Sequence, residues 1–363
     1  MEGEVVSAIA DVARAAGVSK ATASRALSGR GYVSADTRER VVRAAADMGF
    51  VVSSNAASLV TGQSRNVGVV IPHLDRWFFT QVLEGIESAL IAAGYDLTLY
   101  RLSADADQRR RVFDYFLVRK RVDAVIAVGI ALTPNEVAML VSLGKPIVGV
   151  GGEIGGIATL SIDDVAAARL ATEHVIALGH RRLMHLGGEN DEQADFRVLA
   201  HRLEGFRQAL AAEGLDTDSI GADFRTTVFS IPGGFEAGLA VLADAASRPT
   251  AIVAGCDEIA IGVIIAARQL GVRVPEELSV VGIDDHELAG MFGLTTVRQE
   301  PAAQGALAVT LALDELAGQS GSDAPAPVLV PVELRLRAST APPAGENDGI
   351  RGNRGKLLRG TQK

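Results

Sequence analysis

The spacing of apolar and polar positions divides this 363-residue chain near residue 66. Before that point, apolar residues recur three and four positions apart, as in helices, in the runs IADVARAAG, SKATASRALSG and SADTRERVVRAAADMGF. Ser19 and Ser34 can cap the second and third of these helices. We therefore expect residues 1–52 to form a compact module of three short helices with a small core.

After residue 66, short apolar runs typical of buried parallel strands alternate with helical patterns. The strand runs are NVGVVIP, DLTLYRL, VDAVIAVG and PIVGVGG, followed by RLMHLGG, TAIVAGC and LSVVGID. Helical runs between them, such as FFTQVLEGIESALIAAG, end on a glycine that suits a helix C-cap. The alternation predicts βαβ units with parallel sheets. Because residues 66–339 exceed one ordinary doubly wound sheet, we expect two similar α/β subdomains that face each other across a cleft.

Two segments carry neither pattern. Residues 53–65 are rich in serine and alanine and have the composition of a linker. Residues 340–363 are mostly polar and rich in glycine and proline, so we expect a disordered tail.

Composition limits the class of protein. The chain has 44 acidic and 35 basic residues, a net charge of -9, yet residues 1–62 carry seven basic and six acidic residues. The acidity therefore belongs to the α/β part. A single cysteine, Cys256, fits a reducing cytoplasm. No secretory signal pattern and no run of about 20 apolar residues occurs, so we expect a cytoplasmic protein without membrane contact.

The run GVSKATASRAL, which begins at Gly17, has two distinct faces. Ala23 and Leu27 belong to the inner face, whereas the outer face carries the small or basic side chains of Lys20, Ala21, Thr22, Ser24 and Arg25. Such a face fits a DNA major groove, which is about 12 Å wide. Any two amphipathic helices joined by a glycine turn give a similar pattern, so this run alone leaves both interpretations open.

Further short motifs follow one another along the chain, between residue 5 and about residue 343. They are Asp11-Val12-Ala13, Ala16-Gly17-Val18-Ser19, Ser24-Arg25, Val33-Ser34, Thr37-Arg38, Gly49-Phe50, Ser58-Leu59, Thr61-Gly62, Phe78-Phe79, Gly179-His180-Arg181-Arg182, Arg202-Leu203-Glu204-Gly205-Phe206, Ser279-Val280-Val281-Gly282, Asp284-Asp285, Leu294-Thr295-Thr296-Val297-Arg298-Gln299 and Ser339-Thr340. On these residues the chain resembles the lactose-repressor/galactose-repressor family of bacterial transcription regulators.

The resemblance implies a helix-turn-helix head whose second helix reads base edges through Lys20, Ala21 and Arg25. Arg25 is the strongest candidate, because a guanidinium can bond guanine O6 and N7 together. The positions that the family uses for phosphates are Ser19, Thr22, Ser24, Ser28, Tyr32 and Ser34. For Tyr32, a packed surface aromatic is nearly as good an interpretation.

The linker also gains a role from the resemblance. Family members fold this segment into a hinge helix on DNA, where a leucine wedges into the minor groove. Leu59 occupies that position and Ala56 matches a small residue beside the groove. The family's Pro-Asn pair is replaced by Val52-Ser53 and its basic hinge residue by Ala57, so we expect fewer polar contacts from the hinge.

For residues 66–339 the resemblance implies effector binding between the subdomains, and dimerisation. The expected effector is a sugar or sugar acid, and the candidate residues are Phe78, Phe79, Asp163, Arg202, Phe229 and Asp284. Core packing of each phenylalanine and capping by Asp163 remain alternatives. Gly255-Cys256 replaces the Ala-Asn that is common in the family, and Trp77 replaces a proline, which argues against a standard neutral hexose.

No cofactor or metal is expected. His174, His180 and His185 lack zinc-ligand spacing, and GVGGEIGG fails the dinucleotide fingerprint. We expect a repressor rather than an enzyme, in the form of a homodimer on a two-fold symmetric operator. A pure periplasmic-type binding protein is the alternative, and it leaves the helical head unexplained.

Overall fold

The computed structural model describes residues 8–28, 31–50, 63–102, 105–119, 122–152, 154–188, 197–215, 224–319 and 327–344. Contacts divide the chain into two units, one up to Asn66 together with residues 121–123, and one that contains the rest. The predicted hinge positions Ala56 and Leu59 lie outside the described residues, as does the tail from residue 345 onward.

Three helices form the head: α1 (Ile9–Ala15), α2 (Lys20–Ser28) and α3 (Ala35–Asp47). They pack around a small apolar core that includes Val12, Ala23 and Val41, each fully buried. Gly17 adopts a φ of 65° between α1 and α2, a conformation that glycine accepts without strain. The predicted three-helix head is confirmed.

The first parallel sheet has the strand order β11-β5-β4-β3-β1-β2. Its strands are β1 (Asn66–Ile71), β2 (Asp96–Arg101), β3 (Ala124–Val128), β4 (Ile147–Val150), β5 (Ala158–Ser161) and β11 (Val328–Leu329). The helices of this subdomain are α4 (Trp77–Ala93), α5 (Ala106–Arg119), α6 (Pro134–Ser142) and α12 (Pro301–Leu316). Strand residues such as Val67 and Ile126 pack with α4 and α12 in one buried cluster.

The second sheet has the order β12-β10-β9-β8-β6-β7. Its strands are β6 (Leu183–Gly188), β7 (Phe224–Thr227), β8 (Ala251–Ala254), β9 (Ser279–Asp284), β10 (Thr295–Arg298) and β12 (Glu333–Arg335), which runs antiparallel to β10. The helices are α7 (Asp164–Ala177), α8 (Arg197–Ala212), α9 (Ile231–Leu242), α10 (Asp257–Gln269) and α11 (Ala289–Phe292). The prediction of two doubly wound subdomains is confirmed.

Within the described residues, the chain passes between the two sheets three times: after β5, after β10 and between β11 and β12. Both subdomains therefore share the carboxyl-terminal part of the chain. An effector that moves one subdomain against the other must act on these three connections.

A buried carboxylate holds the chain where it enters β1. Asp123 is 2% exposed, and its oxygens accept hydrogen bonds from the backbone N–H of Ser64 at 2.9 Å and of Arg65 at 2.8 Å. These contacts fix the last residues of the linker, directly before β1.

The predicted start of the tail was wrong. The Ala341 carbonyl accepts a hydrogen bond from His180 Nε2 at 2.8 Å, and the Ala341 N–H donates to Ser279 Oγ at 3.0 Å. Thr340 Oγ1 lies 2.9 Å from His174 Nε2. Residues 340 and 341 are thus part of the second subdomain, and their polar composition hid these contacts.

Candidate functional site

The outer face of α2 carries the residues predicted to meet DNA. Lys20, Ala21, Ser24 and Arg25 are exposed, while Ala23 and Ala26 of the same helix are buried in the head. Thr22 is partly exposed. The helix therefore presents one small, basic face and holds the opposite face in the core.

Hydrogen bonds fix the start of α2. Ser19 Oγ accepts from the backbone N–H of Thr22 at 3.1 Å and lies 2.9 Å from Thr22 Oγ1. This cap satisfies a donor that the first turn of a helix would otherwise leave free. The predicted cap is present, and it holds Lys20 and Ala21 in the first turn.

Two of the other predicted phosphate-contacting hydroxyls form hydrogen bonds within the head. Ser28 Oγ donates to the Arg25 carbonyl at 3.5 Å, and Ser34 Oγ donates to Thr37 Oγ1 at 2.9 Å. Tyr32 is 92% exposed. Its ring is therefore not packed on the head, which favours the phosphate interpretation for its hydroxyl.

Most arginines of the head are engaged within it. Arg14 pairs with Asp11, Arg43 pairs with Glu39, and Arg38 donates to the Ala26 carbonyl. Lys20 and Arg25, in contrast, form no ion pair with any described residue, and Arg25 Nε only donates to the Ala21 carbonyl at 3.3 Å. These two charges remain available to a nucleic acid.

The second candidate site is a cleft of about 850 Å³ that is open to solvent. Its walls come from both subdomains, from residues at and beyond the carboxyl ends of β1, β3, β4, β5, β8 and β9, where doubly wound folds hold their ligands. Five of the six predicted effector residues line it: Phe78, Phe79, Arg202, Phe229 and Asp284.

Two phenylalanine rings at the start of α4 cover one wall. Phe78 and Phe79 meet edge to face, with 5.4 Å between ring centroids and an angle of 82°. A Cβ atom at Gly129 would lie 2.7 Å from the Phe79 ring, and one at Gly151 would lie 3.3 Å from the Phe78 ring. The glycines that follow β3 and β4 therefore make room for these rings.

Arg202 lies in the sixth position of α8. The guanidinium Nε donates to Asp164 Oδ1 at 2.8 Å, and Nη1 donates to the Gly255 carbonyl. Both members of the pair are buried. Arg202 therefore enters the cleft with its charge already balanced.

The prediction for Asp163 is not supported. Its side chain is exposed and caps α7 by accepting from the backbone N–H of Ala166 at 2.9 Å, and it does not line the cleft. Asp164, the next residue, takes the position in the wall. Two adjacent aspartates at the start of a helix point in different directions, and the sequence pattern could not decide between them.

Asp284 ends β9 in an unusual backbone conformation. Its φ is 139° and that of Asp285 is 60°, values that cost non-glycine residues on the order of 1–3 kcal/mol each. The Asp285 carboxylate is held by Arg337 at 2.5 Å. The result is that Asp284 faces the cleft while Asp285 faces away from it.

A chain of amides supports Asp284. Gln299 Nε2 donates to Asp284 Oδ1 at 2.6 Å, and Gln304 Nε2 donates to Gln299 Oε1 at 3.0 Å. Gln304 Oε1 is buried without a hydrogen-bond partner. Burial raises the pKa of Asp284 to about 6, although the Arg202 charge opposes this rise.

The start of α10 adds three titratable groups. Burial and the Asp284 charge raise the pKa of Asp257 to about 8 and that of Glu258 to about 7. Burial, with the charges of Asp284 and Glu258, raises the pKa of the Cys256 thiol. Cys256 therefore lines the cleft as a neutral thiol. This supports the prediction that the amide contact of the family's asparagine is lost at this position.

Comparison with known proteins decides the family. The profile described as bacterial regulatory proteins, lacI family, matches residues 8–53, and that of the periplasmic binding protein-like domain matches residues 172–340. The HTH-type transcriptional repressor CytR of Escherichia coli K12 is 30% identical over 351 residues, which cover 93% of this chain and 97% of CytR. The chain belongs to the lacI family of bacterial regulatory proteins.

Other lacI-family proteins agree with this assignment. The HTH-type transcriptional repressor PurR of Vibrio atlanticus is 30% identical and covers 85% of this chain and 91% of PurR. The lac repressor dimer bound to operator and the anti-inducer ONPF has a TM-score of 0.81 at 26% identity, over 92% of this chain and 99% of that chain. The CelR–cellobiose complex has a TM-score of 0.66 at 26% identity, with the same coverage. This lacI-family chain is a DNA-binding transcriptional regulator.

One contact of this lacI-family cleft was not predicted. The Trp77 ring, in the first subdomain, packs against the His286 ring of the second at a tilt of 31°, with 4.9 Å between centroids. The Glu258 carboxylate accepts a hydrogen bond from the backbone N–H of Trp77. These contacts, which we call the Trp77 clasp, join the two subdomains at the wall of the cleft.

Other cleft residues that the sequence analysis missed are Asp164, Glu258, Gln299 and Gln304. Gln299 lay within a family motif and could have been selected. Gln304 lies one turn into α12, and no sequence signal distinguishes it. Among the described residues, no helix is long and apolar enough to cross a membrane, and no three metal-ligating side chains cluster.

Proposed function

We propose that this chain is a homodimeric repressor whose affinity for a two-fold symmetric operator depends on a small effector in the cleft. The observation that carries the proposal is the pairing of two sites in one chain: an exposed basic face on α2 and a cleft between two α/β subdomains. The protein acts by binding, in the cytoplasm, and not as an enzyme.

On the DNA side, α2 enters the major groove with Lys20, Ala21 and Arg25 toward base edges. Arg25 selects a guanine through two hydrogen bonds, whereas Ala21 offers only apolar contact, for example to a thymine methyl group. The hydroxyls of Ser19, Thr22, Ser24, Ser28, Tyr32 and Ser34 contact phosphates and set the register. Leu59 wedges into the minor groove, with Ala56 beside it.

One such helix contacts only a few base pairs, so a second copy of the head is needed for a specific site. The lac repressor bound to its operator is a dimer, which supports the same assembly for this chain. A homodimer places two α2 helices on two half-sites.

On the effector side, Asp284 accepts hydrogen bonds from the ligand while Phe78, Phe79 and Phe229 cover its apolar faces. A cellobiose complex and a ribose complex exist among the similar structures, which supports a sugar or a sugar derivative here. Asp163 caps α7 and takes no part.

The effector changes operator affinity by favouring one relative pose of the subdomains. Binding can shift the equilibrium only by the difference in effector affinity between the two poses. The Trp77 clasp belongs to one pose, because its members lie on opposite subdomains. An effector that favours this pose therefore reinforces the clasp. An effector that favours the other pose competes with it.

Selection of bound duplexes from a random DNA pool at 150 mM salt tests the DNA side without a known operator. We expect an enriched site with two-fold symmetry and guanine at one fixed position of each half-site. Binding to the enriched site should fall steeply as salt rises, because phosphate contacts release counterions. A pool without any enriched sequence would contradict the proposal.

A further inference from the structure

Several donors in the wall of the cleft are already engaged. Arg202 donates to Asp164 and to the Gly255 carbonyl. The Gln299 and Gln304 amide nitrogens donate to Asp284 and Gln299, respectively. Arg76 interacts with Glu258, whose pKa it lowers. These bonds use two of the five guanidinium N–H groups of Arg202, and its charge is balanced by Asp164.

Acceptors, in contrast, are available. Asp284 is 6% exposed and accepts hydrogen bonds from the Gln299 amide and the Asp257 backbone N–H, while the nearby Arg202 charge is already paired with Asp164. Gln304 is 1% exposed, and its Oε1 atom is buried at the cleft without a hydrogen-bond partner. An unsatisfied buried acceptor costs about 1–3 kcal/mol, which a donor from the ligand recovers.

The charges around the cleft also favour a ligand group that donates hydrogen bonds and carries positive charge. Its lining contains two cations, Arg76 and Arg202, and three carboxylates, Asp164, Glu258 and Asp284. The lining contains three phenylalanine rings, and the negative face of such a ring attracts a cation placed over it. The cleft therefore favours a positive ligand group and opposes a negative one.

We propose that the effector carries a protonated amine whose ammonium group donates to Asp284 and to Gln304 Oε1, so that it is an amine-bearing sugar derivative and not a sugar acid. This proposal rests on the effector-controlled function proposed above. Of the two effector classes expected from the sequence, the sugar acid is disfavoured because the Arg202 charge, which would attract its carboxylate, is already balanced by Asp164.

Three achiral six-membered rings test the charge preference without knowledge of the natural effector: cyclohexylammonium, cyclohexanol and cyclohexanecarboxylate. Trp77 is the single tryptophan of the chain and stands in sequence between the cleft residues Arg76 and Phe78, so its fluorescence reports on ligand entry. We expect the full-length protein at pH 7.5 to bind the amine at least ten-fold more tightly than the alcohol, and the carboxylate most weakly.

Asp284→Asn should reduce the affinity for the amine at least ten-fold and change that for the alcohol by less than three-fold. Asp163→Asn is the matched control, because it makes the same change at an exposed cap outside the cleft and should leave the ranking unaltered. The affinities of the three ring ligands are ranked on the unaltered protein. The test therefore stands even if Asp284→Asn fails to fold.

Glucosamine, glucose and glucuronate, with the corresponding galactose series, repeat the comparison on sugars by calorimetry. Equal or tighter binding of the acid, or amine binding that survives Asp284→Asn, overturns the amine proposal. A neutral or acidic sugar that binds the cleft and alters operator binding overturns the amine proposal alone. If no ring or sugar of any charge binds, both the amine proposal and the proposed function are contradicted.

Discussion

Arg202 and Asp164 form a buried ion pair between α8 and α7, with 2.8 Å between Nε and Oδ1 and side-chain exposures of 7% and 9%. The pair closes one wall of the effector cleft. Because the guanidinium also donates to the Gly255 carbonyl, it ties both helices to the loop that precedes α10. Arg202 thus has a structural role in addition to any contact with the effector.

Arg202→Met should destabilise the second subdomain by about 3–5 kcal/mol, because it leaves the Asp164 carboxylate buried without its partner. Urea unfolding followed by circular dichroism measures this loss. The double variant Arg202→Met/Asp164→Leu removes both charges and should recover most of the stability. If Arg202→Met and the double variant are equally stable, the unpaired Asp164 carboxylate costs little, and the ion pair contributes little to stability.

Arg25→Ala should remove the preference for one base in each half-site, at a cost of about 1–3 kcal/mol in specific binding. Non-specific binding at low salt should persist, because it depends on phosphate contacts. Competition assays against variant operators measure both quantities. Arg14→Ala is the control, since Arg14 pairs with Asp11 and lies off the outer face of α2. An unchanged base preference in Arg25→Ala would refute the assigned role.

Leu59→Ala should reduce operator affinity and the bend in the DNA, because an apolar wedge kinks the base step that it enters. Circular-permutation gel mobility gives the bend angle. The segment lies outside the described residues, so this prediction derives from the sequence alone. A bend angle equal to that of the unaltered protein would exclude the wedge.

The stability of the ligand-free protein should fall between pH 6.5 and pH 8.5. Burial raises the pKa of Glu258 to about 7 and that of Asp257 to about 8, so the folded state holds protons that the unfolded state has released. The buried His185 makes the stability rise with pH, but only below this window. Its pKa is about 4 in the folded state and ordinarily 6.5.

Glu258→Gln should therefore flatten the pH dependence of the free energy of unfolding. Glu213→Gln, at an exposed position, is the control and should leave the dependence unchanged. A slope in Glu258→Gln equal to that of the wild type would show that the titration occurs elsewhere.

Much of the fold could be predicted because its signals are local. The strands β1, β3, β8 and β9 are continuous apolar runs, and Gly94 ends α4 in the left-handed conformation that a glycine C-cap indicates. β7 escaped notice because its sequence, FRTT, has a single apolar residue.

The cleft was harder to predict, because its chemistry depends on pairing between distant residues. The family motif identified Arg202 and Asp284, yet nothing local showed that Arg202 is balanced by Asp164, 38 positions earlier. The same holds for Gln304, which reaches Asp284 only through Gln299. These partners determine which ligand charge the cleft accepts.

The central claim is that the cleft controls operator binding, and fluorescence anisotropy with the selected operator tests it directly. We expect a saturating cleft ligand to change the operator Kd at least five-fold, and operator DNA to change the ligand Kd by the same factor, because coupling between two sites is reciprocal. An operator Kd that stays constant while the ligand saturates the cleft would contradict the account.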